Sequence, residues 1–452
     1  MIGNIGAKLI GFILLPFYTS WLTPADYGVT DIIGVYASLL ASFGALNIAA
    51  AIFVFPSGAT ENAIKGYFSS GIALQIVCSI ILIPIFWIIS LLPYESAFVQ
   101  YAWFIYGSLI SSLFQNYTQN FCRGIGKMMV FSYTGIVNSI SLFALSFILI
   151  PTYRVAGFVF ANILSNILTS IFTIVYSKSY LYLSIKEANK PCLKEMLRYC
   201  VPLMPTGLMW WLVNSLNRPL LEEYCGLFAI GILAVGNKLP SIMNMVFGFF
   251  QQAWMVTVLD EYKKQDFADY YRKIFHMIFF VQMSVCLVLT FFAKPFVLLM
   301  TTDEYFDAWK YIPLVMFGTL FSNITAFSGA LFTAHRNSKF IFTTSIAGGV
   351  TSLIANFLLI PFLGLYGACI SIILAHLSSC VMRLKKTKVY MPFNEGKYII
   401  LQVFIALMAY ASSFLMTRIC LAGYVLCLLL FIWTNYQTFQ STILFVKSKL
   451  KK

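Results

Sequence analysis

The chain has 452 residues, 60% of them hydrophobic and only 10% charged, with a formal net charge of +14. A soluble domain carries about 25% charged residues, and no water-soluble fold of this length could hide so much apolar side chain, since a compact domain keeps a large surface facing water. The positive balance does not indicate nucleic acid, because no Lys/Arg cluster is interleaved with aromatics on a soluble element; ten scattered cysteines without a CxxC indicate neither a disulfide framework nor a metal site.

Apolar stretches of about twenty residues, long enough to cross hydrocarbon, recur along the whole chain. They predict an all-α polytopic membrane protein of about fourteen transmembrane helices, with spans at 2–22, 28–55, 66–92, 98–120, 129–150, 155–177, 196–217, 226–255, 274–299, 308–332, 340–361, 364–382, 397–416 and 420–445. The chain starts almost at once in an apolar segment with no basic region ahead of it, so 2–22 reads as a span and not as a cleaved signal peptide.

Charged residues inside spans are costly, about 2.5–3.5 kcal/mol each at a helix centre, so each is a candidate. Lys8 in the first span either faces a cavity or snorkels to the inner headgroups. Asp31, one turn into the second, either carries a coupling proton or sodium ion, or pairs at the interface. Glu61 with Lys65 reads as a loop ion pair. Arg123 and Lys127 flank the inner end of the fourth span, as anchors or as a gate for substrate, and Arg336 and Lys339 follow the tenth in the same way. Arg218 ends the seventh span at the outer mouth, where it binds a phosphate bidentately or pairs with Glu222 one turn on. Lys238 lies near the middle of the eighth span in Gly236-Asn237-Lys238-Leu239-Pro240, where Pro240 should loosen the helix. It is a cavity-facing cation for an anionic group or half of a structural ion pair; the first is preferred, since no acid is predicted at that depth. His376 in the twelfth span is a proton-sensitive group or a histidine bonded to a neighbouring helix.

Of the 30 Lys and Arg residues, 23 fall in alternate gaps and the C-terminal tail, against five in the other gaps. This asymmetry predicts both termini in the cytoplasm. A weak internal repeat at an offset of 210 residues sets Phe147, Leu149, Ile150, Pro151 and Gly157 against Phe357, Leu359, Ile360, Pro361 and Gly367. It equates spans 5–6 with 11–12, and Asp26-Tyr27-Gly28 rhymes with Tyr224-Cys225-Gly226. The predicted organisation is a six-helix lobe over 1–180, a cytoplasmic linker over 181–195, a parallel six-helix lobe over 196–388, and two added helices with a basic tail over 389–452. Two such lobes would enclose a cavity that opens to either side by rocking.

There is no phosphate loop, HExxH, GxSxG or metal-spaced His cluster, so neither an enzyme nor an ATP-driven pump is expected, and no cofactor beyond a coupling proton or sodium ion. The midplane balance of charge is cationic and suits an anionic headgroup such as a phosphate or diphosphate.

Residues 3–28, from Gly-Asn-Ile-Gly-Ala-Lys through Leu-Leu-Pro-Phe-Tyr to Trp-Leu-Thr-Pro-Ala-Asp-Tyr-Gly, resemble the opening of the bacterial polysaccharide-exporter family. These are the Wzx-type flippases of the multidrug/oligosaccharidyl-lipid/polysaccharide superfamily. Asn217-Arg218, Asn237-Lys238-Leu239-Pro240 and Arg336-Asn337 resemble further family positions, with Asn217 where an acid is common and a short N-terminus as departures. The resemblance implies a MATE/MurJ-like fold in the bacterial inner membrane. It also implies export of undecaprenyl-diphosphate-linked repeat units for O-antigen, lipopolysaccharide or capsule synthesis, with membrane lipids and the glycan polymerase or chain-length machinery as partners. A peptidoglycan-precursor (lipid II) flippase, an ion-coupled drug exporter and, of another class, a membrane glycan polymerase are the alternatives.

Overall fold

In a computed structural model the described residues are 10–436 except 45, 185, 336, 394 and 416; the side chains at 203, 206, 338 and 417–420 also lie outside the description. No strand occurs among the described residues. Nine helices there are long and apolar enough to cross a membrane, and two shorter apolar helices occupy Gly396–Ser412 and Leu421–Thr434, where the last two spans were expected. The chain is a multi-pass membrane protein. It divides into two compact units, Met1–Ala234 and Val235–Lys452.

The first unit contains α1 (Leu15–Trp21), α2 (Pro24–Gly44), α3 (Ile48–Val54), α4 (Glu61–Ser90), α5 (Ala97–Gln100), α6 (Ala102–Gly124), α7 (Met128–Tyr176), α8 (Lys190–Cys200), α9 (Met204–Asn214) and α10 (Asn217–Gly236), the last two residues of α10 passing into the second unit. Thr23 and Asp26 explain where α2 begins. The Asp26 amide donates to Thr23 Oγ1 and the Thr23 amide to Asp26 Oδ2, both at 3.2 Å. This is a capping box with Pro24 at the first helical position. Glu61 and Lys65 are paired at 2.8 Å, as expected, but within the first turns of α4 and not in a loop.

α7 spans two of the expected helices. Its residues are helical except at Arg154 (φ 47°, ψ −118°), where the chain folds back. The two arms lie against each other, with Asn138 Nδ2 donating to Ser165 Oγ and Thr169 Oγ1, both at 3.2 Å. The seventh span is more broken than its apolar pattern suggests. α8 passes through a short 3-10 turn (Val201–Leu203) into α9, and Ser215–Leu216 interrupt the helix before α10. Its successive contacts, Gly207 on Ser42, Trp211 on Val35 and Arg218 on Asp31, run antiparallel to α2. The chain then turns at Gly226, with φ 78°. Residues 218–225, expected in an outer loop, are thus helical.

The second unit contains α11 (Lys238–Glu261), α12 (Phe267–Met300), α13 (Ile312–Ala334), α14 (Ser338–Leu363), α15 (Leu365–Thr387), α16 (Gly396–Ser412) and α17 (Thr417–Thr434). α13 is its centre, 83% buried along its apolar window, whereas α4 in the first unit is 11% buried at the higher mean hydropathy of 2.7. The inversion follows from the solvent: a lipid-facing surface must be at least as apolar as the packed interior.

The 210-residue repeat is present in the backbone. Arg154 corresponds to Gly364, which turns the α14–α15 hairpin at φ 54°, ψ −127°. A Cβ on Gly157 would stand 2.2 Å from Leu149 O, and one on Gly367 would stand 2.4 Å from Leu359 O, so the same glycine closes the same hairpin in both units. Helices α2 and α10 meet reciprocally. A Cβ on Gly28 would overlap Leu227 O and one on Gly231 would overlap Pro24 O, each at 1.9 Å. Each glycine lies on the carbonyl one turn upstream of the other glycine, where small residues allow backbones to touch. This register equates Gly28 with Gly231, not with the Gly226 of the sequence rhyme.

Candidate functional site

Asp31 is two turns into α2, and α10 brings Arg218 against it. Arg218 Nε donates to Asp31 Oδ2 at 3.3 Å, with the arginine side chain 10% exposed and the aspartate 28%. The break at Ser215–Leu216 leaves the Asn214 carbonyl without its helical donor, and Arg218 Nη1 takes it at 2.7 Å while also donating to Asn217 Oδ1 at 2.8 Å. Both protons of Nη1 are therefore committed. The guanidinium is oriented with its Nε edge toward Asp31, and that edge is the fork geometry that recognises carboxylate or phosphate.

Arg218 was expected to bind phosphate or to pair with Glu222, and the structure corrects the second alternative. Glu222 is occupied elsewhere: Tyr36 Oη donates to its Oε2 at 3.1 Å, and the Ala97 amide donates to its Oε1. Arg218 itself is buried, 8% exposed overall. Glu223 accepts from Tyr94 Oη at 3.3 Å, and its carboxylate holds the Tyr94 hydroxyl above its ordinary value. The Asn217 amide oxygen fixes Arg218 without neutralising it.

The structure places the other predicted residues as follows. Lys238 does not sit within a continuous helix. α10 ends at Gly236, and Lys238 is the first residue of α11, half-buried, with Pro240 two residues on, where a missing amide proton costs little. Arg123, in the last turn of α6, lies over the Phe53 and Phe131 rings at 4.5 and 5.0 Å and reaches Asn120 Oδ1 at 3.4 Å. His376 is buried in α15 of the second unit, 6% exposed. Lys8 and Arg336 lie outside the described residues. The expected candidates brought together are therefore Arg218 and Asp31.

Sequence reasoning missed Arg383, which was grouped with the inner basic residues after the twelfth span. It lies inside α15 and is 7% exposed, with Nε donating to Thr344 Oγ1 at 3.0 Å and Nη1 to Thr325 O at 2.8 Å. Its buried neighbours are hydroxyls and small residues, a signal readable only after the helices are packed.

A family model described as "Polysaccharide biosynthesis protein" matches residues 1–256. The chain belongs to that family. No curated protein matches the chain. Among solved structures it is similar to the lipid II flippase MurJ in an inward closed conformation. The TM-score is 0.76 at 12% identity, covering 98% of this chain and 99% of that one. It is similar to an inward-facing multidrug resistance MATE transporter of the MOP superfamily, with a TM-score of 0.67 at 14% identity, covering 85% and 94%. It is also similar to a MOP superfamily transporter from Pyrococcus furiosus whose binding pocket is described as of reversed polarity, with a TM-score of 0.54 at 14% identity, covering 86% and 94%. At such identities the likeness is one of fold.

Proposed function

We propose that the protein is a flippase that moves an undecaprenyl-diphosphate-linked oligosaccharide repeat unit from the cytoplasmic to the outer leaflet of the bacterial inner membrane by alternating access. The observation that carries this reading is the Arg218–Asp31 pair. Leaving one member of a buried pair alone costs about 3–5 kcal/mol, so Arg218 needs an anion at every stage. At rest Asp31 is that anion. When the carboxylate takes up a proton or sodium ion, the Nε edge of Arg218 is open to a diphosphate, which binds it bidentately. Asp31 reclaims the arginine when the cargo leaves, and this exchange couples ion movement to transport.

An exporter of organic cations needs an acid available in its site. Here Asp31, Glu222 and Glu223 are engaged by Arg218, Tyr36, Ala97 and Tyr94, which supports an anionic cargo instead. The test is surface glycan in a strain lacking the gene. Wild-type protein restores it, and Arg218→Ala, present at normal level in the membrane, leaves it at least about thirtyfold lower, the effect of truncating one side of a buried charged contact. Full restoration by Arg218→Ala would remove the arginine from the mechanism.

A further inference from the structure

We infer that the first unit also holds an uncharged pocket, distinct from the Arg218–Asp31 pair, that binds one sugar ring of the cargo; the inference rests on the flippase reading above. The pocket is a cavity of about 290 Å³ whose polar lining is Asn47, Gln75, Ser112, Gln115, Asn116 and Gln119. Four of these belong to α6, and with Ser108 they recur at helical spacing on one face. This is why α6, although 23 residues long, is not apolar enough to count among the nine spans. A polar stripe on a membrane helix does not face lipid.

Two further observations point to a ligand or to water in that space. The helix on the opposite wall is broken: α2 ends at Gly44 and α3 begins at Ile48, with Leu46 and Asn47 in the left-handed region at φ 51° and 54°. Irregular backbone at membrane depth is tolerated where it is buried in protein or lines a wet cavity. Gln75, 2% exposed, donates through Nε2 to Leu113 O at 3.4 Å, while its Oε1 has no hydrogen-bond partner. A buried acceptor left unmatched costs about 1–3 kcal/mol, and a hydroxyl group would satisfy it.

The chemistry of the lining selects the ligand class. It contains no Asp, Glu, Lys, Arg or His, so it has nothing to neutralise a phosphate or an organic cation. Each amide offers both donors and acceptors, which matches hydroxyl groups that are both at once. Leu113 and Ile48 in the wall supply apolar surface for the C–H face of a ring. The volume is at the small end of the roughly 300–1,000 Å³ of ligand pockets, enough for a single ring and not for an isoprenoid tail. Ala41, at the edge of the pocket, is ten residues from Asp31 along α2, about 15 Å of helix. The second or third sugar beyond the diphosphate can therefore occupy the pocket while the headgroup meets Arg218.

The test measures binding of bare undecaprenyl diphosphate to the purified full chain. The comparison is a panel of the same lipid bearing two or three hexose rings, the outermost a gluco-, galacto-, manno-, N-acetylamino- or deoxyhexose. The wild type is expected to bind at least one sugar-bearing lipid about tenfold more tightly than the bare lipid. Gln115→Leu and Gln119→Leu are expected to abolish that increment and leave affinity for the bare lipid unchanged, with the melting temperature monitoring folding. Should either variant misfold, Asn116→Leu, at an exposed position, carries the same comparison. Equal wild-type affinity across the panel, or an increment that survives in the variants, overturns the pocket. Failure to bind any of the lipids, bare or sugar-bearing, overturns the flippase reading and the pocket together.

Discussion

Arg218 in the first unit and Arg383 in the second are almost equally buried, at 8% and 7% exposure, yet they are held in different ways. Arg218 faces a carboxylate that is itself more exposed than the arginine. Arg383 faces the Thr344 hydroxyl and the Thr325 carbonyl, and its Nη1 lies 2.7 Å from where a Cβ on Gly329 would stand. A carboxylate partner can be neutralised by a proton and then replaced by another anion. A backbone carbonyl cannot, since its position is set by the helix that contains it. The first arrangement makes an exchangeable charge. The second makes a staple that ties α13, α14 and α15 together, and Gly329 is the position that leaves it room.

That contrast breaks most visibly at Arg218. Arg218→Ala removes transport and also strands Asp31, at a cost of about 3–5 kcal/mol in stability. The double variant Asp31→Asn/Arg218→Gln recovers most of the melting temperature in detergent but none of the surface glycan, which separates folding from function. Arg383→Ala has the opposite profile. It leaves unsatisfied oxygens and a void, lowering stability by about 2–4 kcal/mol, while glycan export per folded molecule stays within about twofold of wild type. Export lost in proportion to Arg383 rather than Arg218 would reverse the two assignments. Thr344→Val sharpens the staple by removing two hydrogen bonds, the one from Arg383 Nε and the one to Ile341 O, with an expected loss of about 1–3 kcal/mol and unchanged export.

The smallest expected effect concerns the hairpins that the two units share. Arg154 adopts a backbone conformation that its counterpart Gly364 supplies without a Cβ. Such a position costs a non-glycine residue on the order of 1–3 kcal/mol, partly offset in the unfolded chain by the lower freedom of arginine. Arg154→Gly should therefore raise the melting temperature slightly, and Gly364→Ala should lower it.

Much of the architecture was legible in the sequence, because hydrocarbon imposes a length and a polarity that the chain must obey. The fold-back between spans 5 and 6 was legible from Ile150-Pro151 and Gly157, and its repeat from Ile360-Pro361 and Gly367. The helix break at Ser215–Leu216 was not, since neither residue carries a Gly or Pro signal. Residues 218–225, expected as an outer loop, instead form part of α10. Asp31 and Arg218 were each singled out as a charge in a span, but their pairing joins residues 187 apart in the chain, and only the antiparallel packing of α2 on α9 and α10 creates it. Arg383 was hidden by its company, because a basic residue beside Lys385 and Lys386 at the end of a span reads as an anchor.

The most direct test is the affinity of undecaprenyl diphosphate for wild-type, Asp31→Asn and Arg218→Ala protein. If Arg218 exchanges Asp31 for the cargo's phosphate, removing the competing carboxylate tightens binding by about tenfold, and removing the arginine weakens it by at least about thirtyfold. Three equal affinities would contradict the exchange.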